Sequence, residues 1–253
     1  MPLLGRVVAL ELLRRRDLGL LLAATAVLTL LVLGARLTGV ENPETGTFLL
    51  NLSLGWSWTG TFLLTVLLAG RQLPQEIEQR TLHTLLARPV SRAQVVLAKW
   101  GASTLCGWFV FAALLIPGWL TPPHLEAYHP GLFAQALLAA AVGLAWVAAI
   151  ALALSVLLPR ALAGTLAVLL VFFSGQVHGG VHAWAEGRGF PGRLAAWLVA
   201  YLPDPGRCNL FTRYTDGLPP AGAGEFLGLL ATATLGIAFF LVLALARFQR
   251  LRI

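Results

Sequence analysis

The chain has 253 residues, 58% of them apolar and 11% charged, with a formal net charge of +7 and two cysteines. Soluble domains carry about 25% charged residues, so an ordinary soluble enzyme is excluded and a polytopic, all-α integral membrane protein is indicated. A positive balance would point to nucleic acid in a soluble protein. In so apolar a chain, the arginines read instead as topology signals flanking membrane spans.

Taken from the start, residues 1–17 predict an amphipathic interfacial helix. Leu4, Val8 and Leu12 share one side, and Arg6, Arg14, Arg15 and Arg16 sit at headgroup level. The equally simple alternative is a positive stop before the first span. The basic cluster leads straight into a full-length apolar segment, so this start is not read as a cleavable signal peptide. A spanning helix needs about 20 mostly apolar residues. Six segments meet that: residues 18–35, 48–70, 100–120, 132–158, 161–178 and 226–246, within one domain over 1–253. Residues 179–225 form a long Gly- and Pro-rich segment. Inside it Phe190–Leu202 is apolar but too short to span, which suits a re-entrant or interfacial helix ended by Pro203 and Pro205.

With both termini on one side, that side holds Arg6, Arg14, Arg15, Arg16, Arg71, Arg80, Arg88, Arg92, Lys99, Arg160, Arg247, Arg250 and Arg252. The other holds Arg36, Arg188, Arg193, Arg207 and Arg213. The count is 13 against 5, and the positive-inside rule therefore makes both termini cytoplasmic.

The polar region 71–99 interrupts this apolar pattern. Glu76 to Ala87 predicts a short helix, with Glu76 and Arg80 paired at i,i+4. Leu82, Leu85 and Leu86 share one face, and Arg80, His83, Thr84 and Arg88 spread over the other. Pro89 disfavours helix at Arg88. Ser91 and Gln94 form a capping-box pattern that opens the next helix. An amphipathic helix this short, between two spans, needs a partner, and a second protein is the expected one.

Other motifs carry less. Gly187, Gly189 and Gly192 fit GxGxxG, but no strand precedes them, so the match is fortuitous. There is no P-loop, because the only lysine, Lys99, follows Ala98. His178 and His182 lie four apart and are candidate metal ligands, although Gly179 and Gly180 between them weaken the helix and the bland reading is two interfacial histidines. The second span carries Asn51, Ser53, Ser57 and Thr61, readable as helix–helix hydrogen-bonding groups or as a substrate path. Cys106 lies in a span and Cys208 in a loop, which argues against a disulfide.

The central region resembles the ABC-2 type permeases of ATP-binding cassette transporters. The matching residues are Glu76, Glu78, Thr81, Leu82, Leu85, Leu86, Pro89, Val90, Ser91, Arg92 and Lys99, between the second and third of six spans. Arg80 stands where a glycine is common before the threonine. The resemblance implies a non-catalytic permease of the bacterial inner membrane, working as a dimer with a second copy or a paralogue and docked to a separate cytoplasmic ATPase. It makes the region around Glu76, Glu78, Arg80, Thr81, Leu82, Leu85, Leu86, Arg88, Pro89, Ser91 and Arg92 the ATPase-coupling element. This chain would bind no cofactor of its own, ATP and Mg²⁺ belonging to the partner. The implied function is movement of an unidentified substrate, in the export direction. Two alternatives stay open: an ATPase-coupled scaffold or mechanotransmitter that passes no cargo, and a metal-handling membrane protein built on His178 and His182.

Overall fold

The computed structural model describes residues 16–37, 43–78, 91–120, 130–200 and 202–250. Among these residues there is no strand. The helices are α1 (Arg16–Leu37), α2 (Pro43–Glu78), α3 (Arg92–Leu114), α4 (Ile116–Trp119), α5 (Pro130–Leu157), α6 (Arg160–Ala185), α7 (Gly189–Ala200), α8 (Phe211–Thr215) and α9 (Ala223–Arg250), with a 3₁₀ turn at Pro205–Cys208 before α8. Five described stretches are long and apolar enough to cross a membrane: Thr45–Gln72, Arg92–Trp119, Pro130–Leu157, Leu162–Ala185 and Ala223–Arg250. A shorter apolar helix, Gly19–Ala35, joins them. The chain is an all-α membrane protein. The interfacial helix expected over 1–17 lies outside the described residues, except that Arg16 and Asp17 open α1.

The bundle is built around α5. This helix is apolar on every side, which is the pattern of a helix buried on every side, and α2, α3, α6 and α9 all pack on it. Ala136, Ala139, Ala140, Ala148, Ala149 and Ala151 are fully buried. Such small residues let helix backbones approach closely where lipid offers no hydrophobic drive between helices. At Gly143 the notch is filled by Cys208, and a Cβ there would lie 2.8 Å from the Cys208 Cβ. Burial, then the charge of Asp204, pushes the Cys208 thiol up to about 12, so it stays protonated at neutral pH. Both cysteines are free and buried.

α2 has 36 residues, about 54 Å at 1.5 Å per residue, longer than the roughly 40–45 Å of a whole bilayer. It runs on through Arg71, Glu76 and Glu78. Near its end it meets the middle of α3 through the Gln72 Nε2 hydrogen bond to Ser103 Oγ (3.0 Å). The start of α3, the end of α5 and the end of α9 form one apolar cluster of Val96, Leu152, Ala153, Val156, Ala244 and Phe248. Arg71, Arg92, Lys99, Arg247 and Arg250 therefore gather at one end of the molecule, called here the basic end.

The opposite end is closed by residues 179–222. Gly187 and Gly189 have φ of 76° and 60°. They turn the chain from α6 into α7, which is why glycine stands there. With no strand among the described residues, the GxGxxG match is accounted for by this turn. α7 leans on α6 and leaves Phe190, Trp197 and Leu198 exposed. The 3₁₀ turn and α8 tuck inward, where Phe211 stacks near Phe111 (5.8 Å) and Tyr214 near Phe133 (5.1 Å between centroids). Gln135 clamps the backbone of Ala221 with both ends of its amide, at 3.0 and 3.1 Å.

α9 is packed unevenly. Its basic half buries Ala244 and Phe248, and it crosses α5 where Gly236 lies directly on the Trp146 indole. A Cβ at Gly236 would fall within 2.8 Å of Trp146 Cζ2 and closer still to Nε1. Overpacking of this kind costs about 1–3 kcal/mol. Gly236→Ala is therefore expected to lower the thermal stability of the detergent-solubilised chain. Gly228→Ala, about two turns earlier on α9 and in open space, should leave it unchanged or slightly raised. Equal melting of the two variants would contradict the crossing.

Candidate functional site

At the basic end, the sequence-predicted coupling residues divide. Arg80, Thr81, Leu82, Leu85, Leu86, Arg88 and Pro89 lie outside the described residues. Glu76 and Glu78 do not open a separate helix; they form the last turn of α2, which continues unbroken from the membrane. Polar residues favour leaving the apolar phase but do not themselves stop a helix. The next helix begins at Arg92, where the Ser91–Gln94 pattern places it, and it carries Lys99 in a buried position.

Ser91 caps α3. Its Oγ accepts from the Gln94 N–H (3.2 Å), and Gln94 Oε1 accepts from the Ser91 N–H (3.0 Å). This reciprocal pair satisfies two donors that a helix start leaves orphaned. Arg92 then reaches across to the other chain end. Its Nη1 donates to the carbonyls of Phe248 (3.0 Å) and Gln249 (2.8 Å), and its guanidinium carbon lies 6.0 Å from the Phe248 ring centroid. A cation on the last carbonyls of a helix satisfies groups with no intrahelical partner and meets the negative end of the helix dipole. The segment between α2 and α3 thus enters α3 at a residue that is also bonded to the end of α9. Sequence reasoning placed Arg92 in the motif but missed this contact, which joins residues 156 and 157 positions apart.

Along α2, Ser53, Ser57 and Thr61 are fully buried, whereas Asn51 is exposed. Ser53 Oγ donates to Leu49 O (2.7 Å). Ser57 Oγ lies 2.7 Å from Ser53 O and 2.6 Å from Leu114 O, sharing one proton between its own helix and α3. Thr61 Oγ1 and Thr65 Oγ1 have no hydrogen-bond partner, and a Cβ at Gly107 of α3 would lie 2.8 Å from Thr65 Oγ1. The polar stripe is therefore a seam between α2 and α3 that runs from Ser53 to Gln72. It encloses two hydroxyls and the Gln72 Oε1 without partners, each a buried group that costs free energy until it is matched.

At the opposite end is a second polar cluster. His178, Ser174 and Asp204 are all buried. Ser174 Oγ donates to Asp204 Oδ1 (2.9 Å), and Arg207 Nε lies 3.3 Å from Asp204 Oδ2. His178 Nδ1 is 2.9 Å from the Ser174 carbonyl and 3.9 Å from Asp204 Oδ2. Carrying its proton on Nδ1, the imidazole donates to that carbonyl. His182 is exposed one turn further on, so the two histidines do not converge. Among the described residues no three His, Cys, Asp or Glu side chains gather as a metal site would need. His178, Asp204 and Arg207 line one end of a cavity of about 830 Å³, whose apolar wall is α9 from Phe226 to Phe240. Sequence reading missed Asp204. Its signal was an acid between Pro203 and Pro205 in an otherwise apolar stretch.

A family model described as ABC-2 family transporter protein matches residues 61–251. No curated protein matches the chain.

Proposed function

The chain belongs to the ABC-2 transporter family, and from that membership we propose that it is the permease subunit of an ATP-binding cassette exporter, driven by a separate cytoplasmic ATPase. The match over residues 61–251 carries this reading, since it takes in the whole polar region between α2 and α3 and every helix after it. On this reading, the ATPase seats on the apolar face of Leu82, Leu85 and Leu86, with Glu78, Arg80 and Arg88 at the rim. ATP and Mg²⁺ stay on that partner.

Movement of the seated loop then has three covalent or hydrogen-bonded exits: α2, which runs into it at Glu78, α3, through the Ser91 cap, and α9, through Arg92. A second permease, as copy or paralogue, completes the unit. The low burial of the α6 and α9 apolar stretches, 28% and 11% against 72% for α5, supports a surface left for a neighbour. The arginine asymmetry supports cytoplasmic termini in a bacterial inner membrane.

The test is biochemical. Purified alone, the chain is expected to hydrolyse no ATP, because it lacks a phosphate-cradling loop. Co-expressed with a soluble chain bearing GxxxxGK[ST], it should co-purify with it, and turnover of the complex should respond to a small molecule or lipid. Robust hydrolysis by the isolated chain, with contaminants excluded, would refute the permease reading. A stable complex indifferent to every compound tested would favour a mechanotransmitter over an exporter.

A further inference from the structure

We propose that the cavity between α9 and the 202–210 segment is a binding site for one zwitterionic, amine-bearing phospholipid. The groove lies along α9, which is held at the basic end, at Gly236 and at the fully buried Ala233, while Phe226 and Leu229 stay only partly covered. Its wall runs from Glu225 to Phe240, 15 helical steps or about 22 Å. Half of a bilayer that is about 40–45 Å thick including headgroups is about 20–22 Å. The groove therefore has the length of one leaflet, and its polarity runs in the same sense. Phe226, Leu229, Gly236, Phe239 and Phe240 line the membrane-embedded part, and every charged lining residue sits at the far end.

The charges select the headgroup. Arg207 gives its Nε to Asp204, while its side chain is 60% exposed at the cavity mouth. That leaves the outer edge of the guanidinium, a bidentate donor fork, for a phosphodiester. Asp204 is held by Ser174 and Arg207. Glu225 is 62% exposed and lies 3.0 Å from Arg213. Two carboxylates and two guanidiniums leave this end balanced. A headgroup bearing only negative charge meets both acids, whereas one with an ammonium beside its phosphate finds a partner for each charge. The site is independent of the transport reading and is tested without ATP turnover.

The full chain, purified in detergent and stripped of lipid, is to be titrated with phosphatidylethanolamine or phosphatidylglycerol and followed by native mass spectrometry. One phosphatidylethanolamine per chain is expected to rebind, at least tenfold more tightly than phosphatidylglycerol. Arg207→Ala should weaken it about tenfold. Gly228→Trp, at a groove position where a side chain meets open space, should abolish binding while the chain still elutes as a folded species. The proposal is overturned if only detergent occupies the chain, if both lipids bind alike, or if the folded Gly228→Trp variant binds like its parent. It is overturned equally if Leu229→Cys forms a disulfide between two copies in the membrane, since a second copy would then fill the groove.

Discussion

Leu85→Asp is expected to release this permease from its ATPase, lowering the affinity a hundredfold or more while every span still inserts. Burying one leucine side chain contributes about 1.5–3 kcal/mol, and the sequence places Leu82, Leu85 and Leu86 on one face of a helix with no span to cover it. The aspartate loses that contribution and adds an unpaired charge in a dry groove, which is costlier still. A combined loss of about 3–5 kcal/mol corresponds to about two to three and a half powers of ten in affinity. Leu85→Ala loses only the first part and should cost about tenfold. Arg88→Ala should cost less, because ion pairs at a wet rim contribute about 0–1 kcal/mol. Co-purification of the ATPase with each variant measures the series. Full association and turnover in Leu85→Asp would show that this segment is not the docking element.

The parts of the molecule legible in the sequence are those whose physics is local. Twenty apolar residues report a membrane helix wherever the rest of the chain lies, and the Ser91–Gln94 cap needs only three residues of spacing and formed with both its bonds. Helix ends were less legible. Hydropathy marks where a helix leaves the membrane, not where it stops, so α2 carries Glu76 and Glu78 in its last turn, where the sequence pattern opens a separate helix. Least legible were contacts between distant segments. Residues 203–222 have the glycine and proline content of a loop, yet Cys208 is fully buried because Gly143 of α5 leaves room for it. Asp204 reads as a solvent-facing loop acid until Ser174, thirty positions earlier, is seen donating to it. His178, paired by spacing with His182, turns to the Ser174 carbonyl instead. In each case the deciding partner lies on another element, and no periodicity within a segment encodes it.

The Arg92 contact makes the second large prediction. One guanidinium nitrogen satisfies two carbonyls at the end of α9, and hydrogen bonds to a charged group contribute about 1.5–3 kcal/mol when sheltered. The Phe248 bond is partly sheltered and the Gln249 bond is exposed, so the second counts for much less. Removing both should loosen α9 from α3 by about 2 kcal/mol, or roughly thirtyfold in the attached-to-detached ratio. The buried cluster of Val96, Leu152, Ala244 and Phe248 remains in place, so the fold and the docked ATPase should survive. What should fall is the transfer of work from the loop to α9. Arg92→Ala is therefore expected to co-purify with its ATPase at parental levels. Its turnover in reconstituted membranes should drop toward that of the ATPase alone, about tenfold or more. Arg92→Lys keeps a cation at the negative end of the helix but loses the planar fork, and should recover part of the difference. Raising salt should separate the variants little, because the principal bond is partly buried. If Arg92→Ala turns over ATP like the parent while the ATPase stays bound, α9 is not driven from this residue and the work leaves the loop through α2 and α3.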